Sequence, residues 1–531
     1  MLRPHHHSPS PLQDRDHSPI PRRIAIAFAV AAVVVFAVAA TISTRSAPET
    51  YPVADTATTS IYSLLAARGE LQLGSYSRFG WNHPGPLLYQ VLAVPYAASG
   101  YREIALKWAA LALNIGWLAG ALCAAHRRSP GFALALVAAL APLLWREQRL
   151  LFLAWNPFVP VLALLCGVCL AAGLEARSRW GAGALAATLS FCVQAHVGLG
   201  PVCAVVAFGA AVVWARATKA QSAPWWRLPA PFIVVGVAAA VWMVPLIYEF
   251  RHWPGNLAAT ATFLLDRTHP HPHWGDSLNG AGYMLVAPLL PEWEAMFGEL
   301  PARANVWHGV ALSAMFAAAC AACIHHRARR NRYEAACAAI TAATLAVAPV
   351  AAHGIVGPMA DYLLFWVLAV GVLANAVIVA TLVDLWPLAS RGLSRPHPWA
   401  IWFVVAAWTA IGSFRLTGKH ADQAKDTTMR ALASDLQRYC AARGVTRPLV
   451  DFDPESWQEL TGLVLQFAKA DAPIAVSARA VHIVGPRFAE TRREEATFYL
   501  MPVSGQLPQP YVEHVEWVAT RGAVRVVRLV R

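Results

Sequence analysis

The run Ile24–Ile42, IAIAFAVAAVVVFAVAATI, decides the class of protein to which this chain belongs. It contains no charged residue, and about 20 apolar residues in a helix span the roughly 30 Å hydrocarbon core of a bilayer. Unsatisfied backbone polar groups are too costly in lipid, so a run of this kind must be helical. We predict a membrane-spanning helix rather than a signal peptide, because no small-residue cleavage site follows.

Similar apolar runs recur along the first 415 residues of the 531-residue chain. Hydrophobic residues make up 57% of the chain and charged residues only 14%, whereas soluble proteins carry about 25% charged residues. The sequence thus predicts an all-α polytopic membrane bundle with about eleven transmembrane helices. Besides 24–42, the predicted spans are 104–125, 131–145, 158–174, 181–200, 201–215, 231–248, 307–324, 335–352, 361–383 and 399–414. A shorter run, 86–98, is either a further span or a re-entrant or interfacial helix.

The net charge of +13 is explained by membrane topology. With the N-terminus in the cytoplasm, the predicted cytoplasmic segments hold 17 Lys and Arg in 73 residues, and the short outer segments hold 9 in 139. Cytoplasmic loops of membrane proteins carry such an excess. We therefore predict a multi-pass protein of the cytoplasmic (inner) membrane with a cytoplasmic N-terminus. Its partner is the lipid bilayer, and no nucleic acid is expected to bind.

Three regions follow from this layout. Residues 1–23, rich in Pro, His, Ser and Arg, are predicted to be a disordered cytoplasmic tail. Residues 24–414 are the membrane domain, and residues 415–531 are a small extracytoplasmic α/β domain. In that domain we predict helices over 422–443 and 455–470, and strands at Pro448–Phe452, Pro473–Ser477, Val481–Gly485, Thr497–Val503, His514–Ala519 and Val524–Val530.

Cysteine spacing and a D-x-D motif do not indicate a site. The pairs Cys166/Cys169 and Cys320/Cys323 each read C-x-x-C, but Leu, Ala and Val surround them, and a zinc site needs convergent polar ligands. Asp451-Phe-Asp453 resembles a metal–nucleotide motif. Nucleotide sugars are cytoplasmic, however, and this domain is predicted to lie outside. A turn after a strand is the favoured interpretation.

Two predicted outer loops, 43–103 and 249–306, are long for a compact membrane protein, and long loops commonly carry function. The first contains Asp55 and the segment Trp81-Asn-His-Pro-Gly-Pro86. Prolines suit the start of a helix, so His83 is predicted to lie at the membrane face. A carboxylate and an imidazole there form a candidate acid–base or phosphate-binding pair. The alternative for Asp55 is a helix N-cap.

This arrangement resembles the glycosyltransferase C superfamily, especially the protein O-mannosyltransferases and the lipid A aminoarabinose transferases. Those proteins carry an acidic residue early in the first outer loop and a His-Pro-Pro-Leu motif at the start of the following apolar helix. The matching residues here are Asp55 and His83-Pro84-Gly85-Pro86-Leu87. Thr56 stands where the family often has a second acidic residue, and Gly85 is inserted before the second proline. The resemblance covers roughly residues 24–215.

The resemblance implies an inverting glycosyltransferase that moves a sugar from a polyprenyl-phosphate carrier to an acceptor hydroxyl outside the cytoplasm. The acceptor would be an envelope glycan, lipid or protein. No nucleotide cofactor is implied, and the sequence has no nucleotide-binding fingerprint. Asp55 is the expected general base, and the groups expected to bind the donor phosphate are His83, Arg78, Arg149 and His196. For His196 a hydrogen bond between packed helices is the alternative.

Two other classes of protein stay open. A transporter or flippase of envelope lipid intermediates usually carries polar mid-membrane helices and inverted repeats, and here mid-span charges are scarce and no repeat is found. A non-catalytic membrane scaffold is the other alternative. No cofactor is predicted and no metal site is assigned, although a divalent-metal requirement stays open. The alternating His269, His271 and His273 favour an exposed loop over a weak metal site.

Overall fold

Helices dominate the chain, as the apolar runs predict. The computed structural model describes residues 22–175, 178–219, 228–266, 268–291, 293, 298–386, 398–491, 493–507 and 515–530. Residues 1–21 of the predicted tail 1–23 lie outside the described part of the chain. The chain divides into two compact units, one ending at Ala47 and the other beginning at Pro48.

The first unit contains helix α1 (Arg22–Ser46), which includes the whole predicted span 24–42. Several of its apolar side chains, among them Val33, Val34 and Val35, are exposed. An apolar helix whose described side chains are largely exposed is suited to lipid rather than water. Its 25 residues correspond to about 37 Å at the helical rise, which is enough to cross a bilayer.

The second unit begins with a series of mostly apolar helices. They are α2 (Ala54–Ala67), α3 (Leu87–Ala98), α4 (Glu103–Arg128), α5 (Pro130–Arg146), α6 (Arg149–Phe152), α7 (Val159–Ala172), α8 (Arg179–Ala195), α9 (Gly200–Lys219), α10 (Pro229–Arg251), α11 (Asn256–Leu265), α12 (Trp274–Val286), α13 (Val306–Ala328), α14 (Arg332–His353), α15 (Trp366–Leu385) and α16 (Pro398–Gln423). Each predicted span after the first overlaps one of them. The undecided run 86–98 is the 12-residue helix α3.

In the second unit, seven helices of the described part are long and apolar enough to cross a membrane: α4, α9, α10, α13, α14, α15 and α16. The predicted spans 131–145, 158–174 and 181–200 correspond instead to α5, α7 and α8, of 17, 14 and 17 residues. At the helical rise these measure about 21–26 Å, less than the hydrocarbon core. A multi-pass membrane protein is therefore confirmed, and the number of eleven spans is not.

Two glycines set how closely α12 packs against α13 and α15. A side-chain carbon at Gly282 would lie 2.0 Å from the carbonyl oxygen of His308, and one at Gly371 would lie 2.4 Å from the carbonyl oxygen of Leu285. Both neighbours are backbone atoms, so no larger residue fits. Small residues of this kind let helix backbones approach closely in membrane bundles. They hold α12 against α13 and α15.

A five-stranded mixed sheet with three helices follows α16. Its helices are α17 (Thr428–Ala442), α18 (Trp457–Lys469) and α19 (Ala478–Val484), and its strands are β1 (Pro448–Phe452), β2 (Ala475–Val476), β3 (Ala496–Pro502), β4 (Val515–Arg521) and β5 (Val524–Leu529). The strand order is β2-β1-β3-β5-β4. β1 is parallel to both neighbours, and β5 is antiparallel to both of its neighbours. The connection from β1 through α18 to β2 is a βαβ unit.

Most predicted elements of this domain have bounds within two residues of those found, but two predictions were wrong. The run Val481–Gly485, predicted as a strand, is the second half of helix α19 and the residue after it. A short apolar run does not reveal whether its period is that of a helix or a strand. The predicted helix 422–443 is also two helices, because α16 continues to Gln423 and α17 begins at Thr428.

Candidate active site

A cavity of about 600 Å³ opens at one end of the helical bundle, here called the cavity end. Three parts of the chain surround it. They are the first long loop, the segment 350–366 from the end of α14 to the start of α15, and helices α18 and α19 of the C-terminal domain. Its polar lining includes Asp55, Tyr76, Arg78, His83, Asn156, His196, Tyr362 and His482, and its aromatic lining includes Phe79, Trp81, Trp155, Phe263, Trp366 and Trp457. The structure thus brings together Asp55, Arg78, His83 and His196.

The Asp55 carboxylate is held by two side chains from other segments. The hydroxyl of Tyr76 donates to Oδ1 over 2.6 Å, and the indole Nε1 of Trp155 donates to Oδ2 over 3.1 Å. Asp55 lies in the first turn of α2, whose N-cap is Val53, so the N-cap alternative for Asp55 is wrong. Burial raises the pKa of Asp55, and the hydrogen bonds from Tyr76 and Trp155 offset part of that effect.

The backbone that carries Asp55 is strained. Ala54, the first residue of α2, has a φ of +53°, a region that residues with a side chain rarely occupy. The hydroxyls of Thr58 and Thr59 both donate to the carbonyl oxygen of Asp55, over 3.0 and 2.8 Å. Strained residues of this kind cluster at active sites, where surrounding contacts maintain them. The strain therefore supports a functional interpretation of this turn.

A short hairpin in the first long loop places Tyr76 and His83 together. The amide of Gly74 donates to the carbonyl of His83, and the amide of His83 donates to the carbonyl of Ser75, over 3.1 and 2.7 Å. Tyr76 pairs with Asn82 across the hairpin. Gly80, at φ +83°, provides the left-handed residue that the turn requires. The His-Pro motif is therefore one strand of a hairpin whose other strand supplies the hydrogen-bond donor to Asp55.

Two buried imidazoles lie beside each other in the cavity wall. The rings of His83 and His196 are 4.7 Å apart between centroids, and the amide of Val197 donates to Nδ1 of His83 over 3.2 Å. Since Nδ1 accepts, the neutral ring of His83 carries its proton on Nε2. Burial and the nearby His196 hold the pKa of His83 well below its usual range. Burial also lowers the pKa of His196 to about 4.

The unusual glycine of the His-Pro motif has a structural cause. A side-chain carbon at Gly85 would lie 2.1 Å from Oε1 of Gln194 on α8. Gln194 is fully buried, and its Nε2 donates to the carbonyl oxygen of Val241 over 2.7 Å. Gly85 is two residues from His83, and Gln194 is two residues from His196. This contact therefore sets how closely the two segments that carry the imidazoles approach.

The two selected arginines differ in position. Nη2 of Arg78 donates to the carbonyl oxygens of Val356 and Pro358, over 2.7 and 2.9 Å, and ties the first long loop to the segment between α14 and α15. Arg149 instead binds Glu147 through two hydrogen bonds of 2.7 and 2.6 Å. It is not among the residues that line the cavity.

The C-terminal domain forms one wall of the cavity through Trp457, His482 and Ile483. The ring of His482 lies edge-on to Tyr76, 6.2 Å away between centroids, and burial lowers the pKa of His482. The hydroxyl of Tyr62 on α2 donates to the carbonyl oxygen of Ile483 over 3.0 Å. The domain thus packs on the same helix that carries Asp55.

Charged groups strengthen this packing. Nζ of Lys469 lies 2.9 Å from Glu49 and 2.8 Å from Glu103, and Arg68 pairs with Asp471 at 3.3 Å. A side-chain carbon at Gly462 on α18 would lie only 3.0 Å from the carbonyl oxygen of Pro52. The backbone of α18 therefore approaches the segment that leads into Asp55.

Several lining residues are not predicted from the sequence: Tyr76, Trp155, Trp457 and His482. They come from a hairpin, a loop and the C-terminal domain, so no fixed spacing connects them. Aromatic rings are common in sites that bind extended organic ligands.

Glu249 and the three alternating histidines of the second long loop are not among the residues that line the cavity. Glu249, at the end of α10, accepts hydrogen bonds from the amides of Gly255, Leu257 and Ala258, and it caps the start of α11. Among 269–273 the three imidazoles have separate surroundings. His269 lies 3.6 Å from Asp266, and Nδ1 of His271 lies 3.3 Å from the carbonyl of Ile355. His273 precedes α12 as its N-cap residue.

The D-x-D segment of the C-terminal domain is occupied by structural contacts. Asp451 pairs with Arg479, with Oδ1 2.8 Å from Nη2. The side chain of Asp453 accepts from the amide of Glu455 over 3.0 Å. Asp453 therefore stabilises the turn after β1. This agrees with the interpretation favoured from the sequence.

Comparisons with known proteins address the fold directly. No protein-family model matches the chain, and no curated protein matches its sequence. A solved structure of ArnT from Cupriavidus metallidurans bound to undecaprenyl phosphate superposes with a TM-score of 0.52, at 16% identity, over 94% of this chain and 98% of that one. The apo form of the same ArnT gives 0.49, at 16% identity, over 96% and 98%. The chain therefore has the fold of this ArnT structure, which agrees with the resemblance that Asp55 and His83 indicated.

Proposed function

We propose that this protein is a membrane glycosyltransferase that moves a sugar from a polyprenyl-phosphate carrier to an acceptor hydroxyl. The observation that carries the proposal is the half-buried Asp55 carboxylate, which faces a cavity that two neutral imidazoles and Arg78 also line. The ArnT structure with the same fold is bound to undecaprenyl phosphate, which supports a lipid carrier for this chain as well. We place the reaction on the outer side of the cytoplasmic membrane, because the charge of the short loops puts the cavity end there.

Asp55 is the proposed general base. The acceptor oxygen attacks the anomeric carbon of the sugar and forms the new C–O bond while the bond to the carrier phosphate breaks, so the configuration inverts. The hydroxyl proton passes to Asp55. A base is most effective when its pKa lies near the working pH, and burial shifts the pKa of Asp55 in that direction. Tyr76 and Trp155 bind one oxygen each and hold the carboxylate in a fixed orientation.

The departing phosphate needs donors on the other side of the sugar. Arg78 supplies a permanent charge, and its anchoring to two carbonyl oxygens directs the guanidinium along the cavity wall. His83 is neutral and has its Nε2 proton available for a hydrogen bond, with His196 beside it. Fixed donors in a buried site stabilise developing charge more strongly than water does. Arg149 is left out of this role, because its guanidinium is bound to Glu147.

The aromatic lining suits a sugar, and the C-terminal wall suits the acceptor. Flat rings such as Trp81 and Trp155 present apolar faces to the C–H faces of a pyranose. Trp457 and His482 come from the C-terminal domain, which we place outside the membrane. An acceptor from the cell envelope would approach from that side. We therefore assign the donor to the wall made by the loops and the acceptor to the wall made by the C-terminal domain.

The test uses the full chain purified into lipid nanodiscs. It is incubated with a panel of radiolabelled polyprenyl-phosphate sugars and a cell-envelope acceptor extract. Wild type is compared with Asp55→Asn, and Asp422→Asn serves as the matched control, since Asp422 is an exposed residue of α16 paired with Lys425. We expect transfer by wild type and by the control. Asp55→Asn should lose at least about 100-fold in turnover.

Two results would contradict these assignments. If wild type transfers sugar from no donor and also binds none of them, the lipid-carrier proposal fails, and a transporter or scaffold becomes the better explanation. If Asp55→Asn keeps full turnover, the reaction stands but Asp55 is not its base.

A further inference from the structure

A second group of ionisable side chains lies at the other end of the same helices. His325 and His326 are in the last turn of α13, Glu334 is in the first turn of α14, and Asp384 is next to the last residue of α15. The cavity is lined instead by the end of α14 and the start of α15. The 22 residues of α14 separate the two positions by about 33 Å. This group therefore takes no part in the proposed transfer reaction.

Three of these side chains point ligand atoms at one another. Nε2 of His325 lies 2.7 Å from Oδ2 of Asp384. One ligand atom from each of His325, His326 and Asp384 lies within 4.8 Å of the other two. The rings of the two histidines are 5.1 Å apart at 77°, so they approach the common centre from different directions. The three ligand atoms could bind a single ion if they moved slightly closer together.

A carboxylate outside this trio orients one imidazole. Nδ1 of His326 lies 3.0 Å from Oε2 of Glu334, and Oε1 of Glu334 accepts a hydrogen bond from the hydroxyl of Ser129. Nε2 of His326 is directed toward α15, where it lies 3.0 Å from the hydroxyl of Thr381, one turn before Asp384. Metal-bound histidines usually give their second nitrogen to such a carboxylate, which fixes the ring and its tautomer.

Charge and access favour a divalent cation. Two carboxylates face two imidazoles, and Arg329, at 3.7 Å from Asp384, offsets part of the negative charge. His326 is buried, whereas His325 and Asp384 are half-buried, so an ion has a route in from solvent and water can complete its shell. Two imidazoles and one carboxylate suit zinc and related transition metals rather than calcium or magnesium.

We propose that His325, His326 and Asp384 bind one divalent transition-metal ion of the zinc type, with Glu334 orienting His326. The ion would join the ends of α13 and α15 directly, and α14 through Glu334. It acts as a clamp at the face of the bundle opposite the cavity. The proposal stands independently of the glycosyltransferase proposal.

The experiment measures metal binding rather than turnover. Full-length protein in nanodiscs, with His5, His6, His7 and His17 replaced by alanine to remove the tail's imidazoles, is stripped with chelator and dialysed against Zn²⁺. Bound zinc is counted by mass spectrometry, and Co²⁺ is used as a spectroscopic probe of the coordination geometry. We expect about one ion per chain and a Co²⁺ spectrum with bands typical of low coordination number.

Three variants decide between a metal site and a set of ion pairs. Asp384→Asn, which keeps the side-chain shape, should lose the bound zinc and the Co²⁺ bands. Glu334→Gln should weaken zinc binding about tenfold. His252→Ala, which removes the exposed imidazole of the residue after α10, should change neither zinc binding nor the Co²⁺ bands.

Folding is checked by melting each variant without metal. Added zinc should raise the Tm of the parent protein and leave that of Asp384→Asn unchanged. If the parent and Asp384→Asn bind equal zinc and give the same spectrum, the proposal is wrong. The group is then a pair of histidine–carboxylate contacts only.

Discussion

The two ends of the bundle each carry a pair of neighbouring histidines, and the two pairs have opposite surroundings. His83 and His196 face an amide and aromatic rings, with ring centroids 4.7 Å apart. His325 and His326 each face a carboxylate, with centroids 5.1 Å apart. Burial without a carboxylate keeps an imidazole neutral and able to donate. Contact with carboxylates places an imidazole where it can share a metal ion with them.

The comparison teaches that the neighbours of a histidine, and not its presence in a membrane protein, indicate what it does. Both pairs lie close to helix ends, where a polar side chain is easier to accommodate than in the middle of a bilayer. Only the first pair shares a cavity with Asp55. The second pair connects three helices. We therefore propose that the same residue type supports a reaction in one place and joins helices in the other.

The largest expected effect separates the two pairs by activity. His83→Ala should lower the rate constant of sugar transfer by about 10²–10³-fold, because a fixed donor to the departing phosphate is lost. His326→Ala should leave the rate constant of the folded protein unchanged, since it lies at the other end of α14. Both are measured as single-turnover rates normalised to correctly folded protein. An equal loss in the two variants would show that the ends are coupled and that this division of roles is wrong.

An intermediate effect is expected from substitutions that alter how His83 packs against His196. Gly85→Ala should destabilise the protein by about 1–3 kcal/mol, because its new methyl group would overlap the side chain of Gln194. Adding Gln194→Ala should recover part of this loss, which a double-mutant cycle of unfolding free energies measures. Turnover should follow the same order, since the contact positions His83 against His196. If the two substitutions prove additive, the close approach at Gly85 does not set this geometry.

The smallest effect is expected at Arg149. Arg149→Gln should leave turnover and the Michaelis constant for the donor unchanged, because this side chain is outside the cavity lining. Loss of its pair with Glu147 should lower stability, because the Glu147 carboxylate is buried and loses this partner. Arg78→Gln is the contrasting variant and should raise that Michaelis constant. A clear loss of donor binding in Arg149→Gln would return this residue to the site.

Much of the fold and part of the site could be predicted from the sequence. Length and polarity identify helices such as α4 and α15, because lipid permits little else. They do not give the number of crossings, since α7 is apolar but has only 14 residues. The motif residues Asp55 and His83 were found because each stands at a recognisable position beside an apolar helix.

The remaining site residues could not be predicted, for a physical reason. Tyr76 reaches Asp55 because a hairpin folds back on itself, and His482 reaches Tyr76 because a distant domain packs on α2. Neither contact leaves a periodic trace along the chain. Gly85, by contrast, was visible as a departure from the family motif. Its cause, the side chain of Gln194, became clear only when α8 was placed beside it.

The hydrogen bond from Tyr62 to Ile483 joins residues 421 positions apart. The ribosome makes α2 long before α19, so the cavity lacks the wall formed by the C-terminal domain until α19 has been synthesised. A chain that stalls or is cut short after α16 carries Asp55 and His83 but lacks Trp457 and His482. Such a chain has only part of the cavity lining.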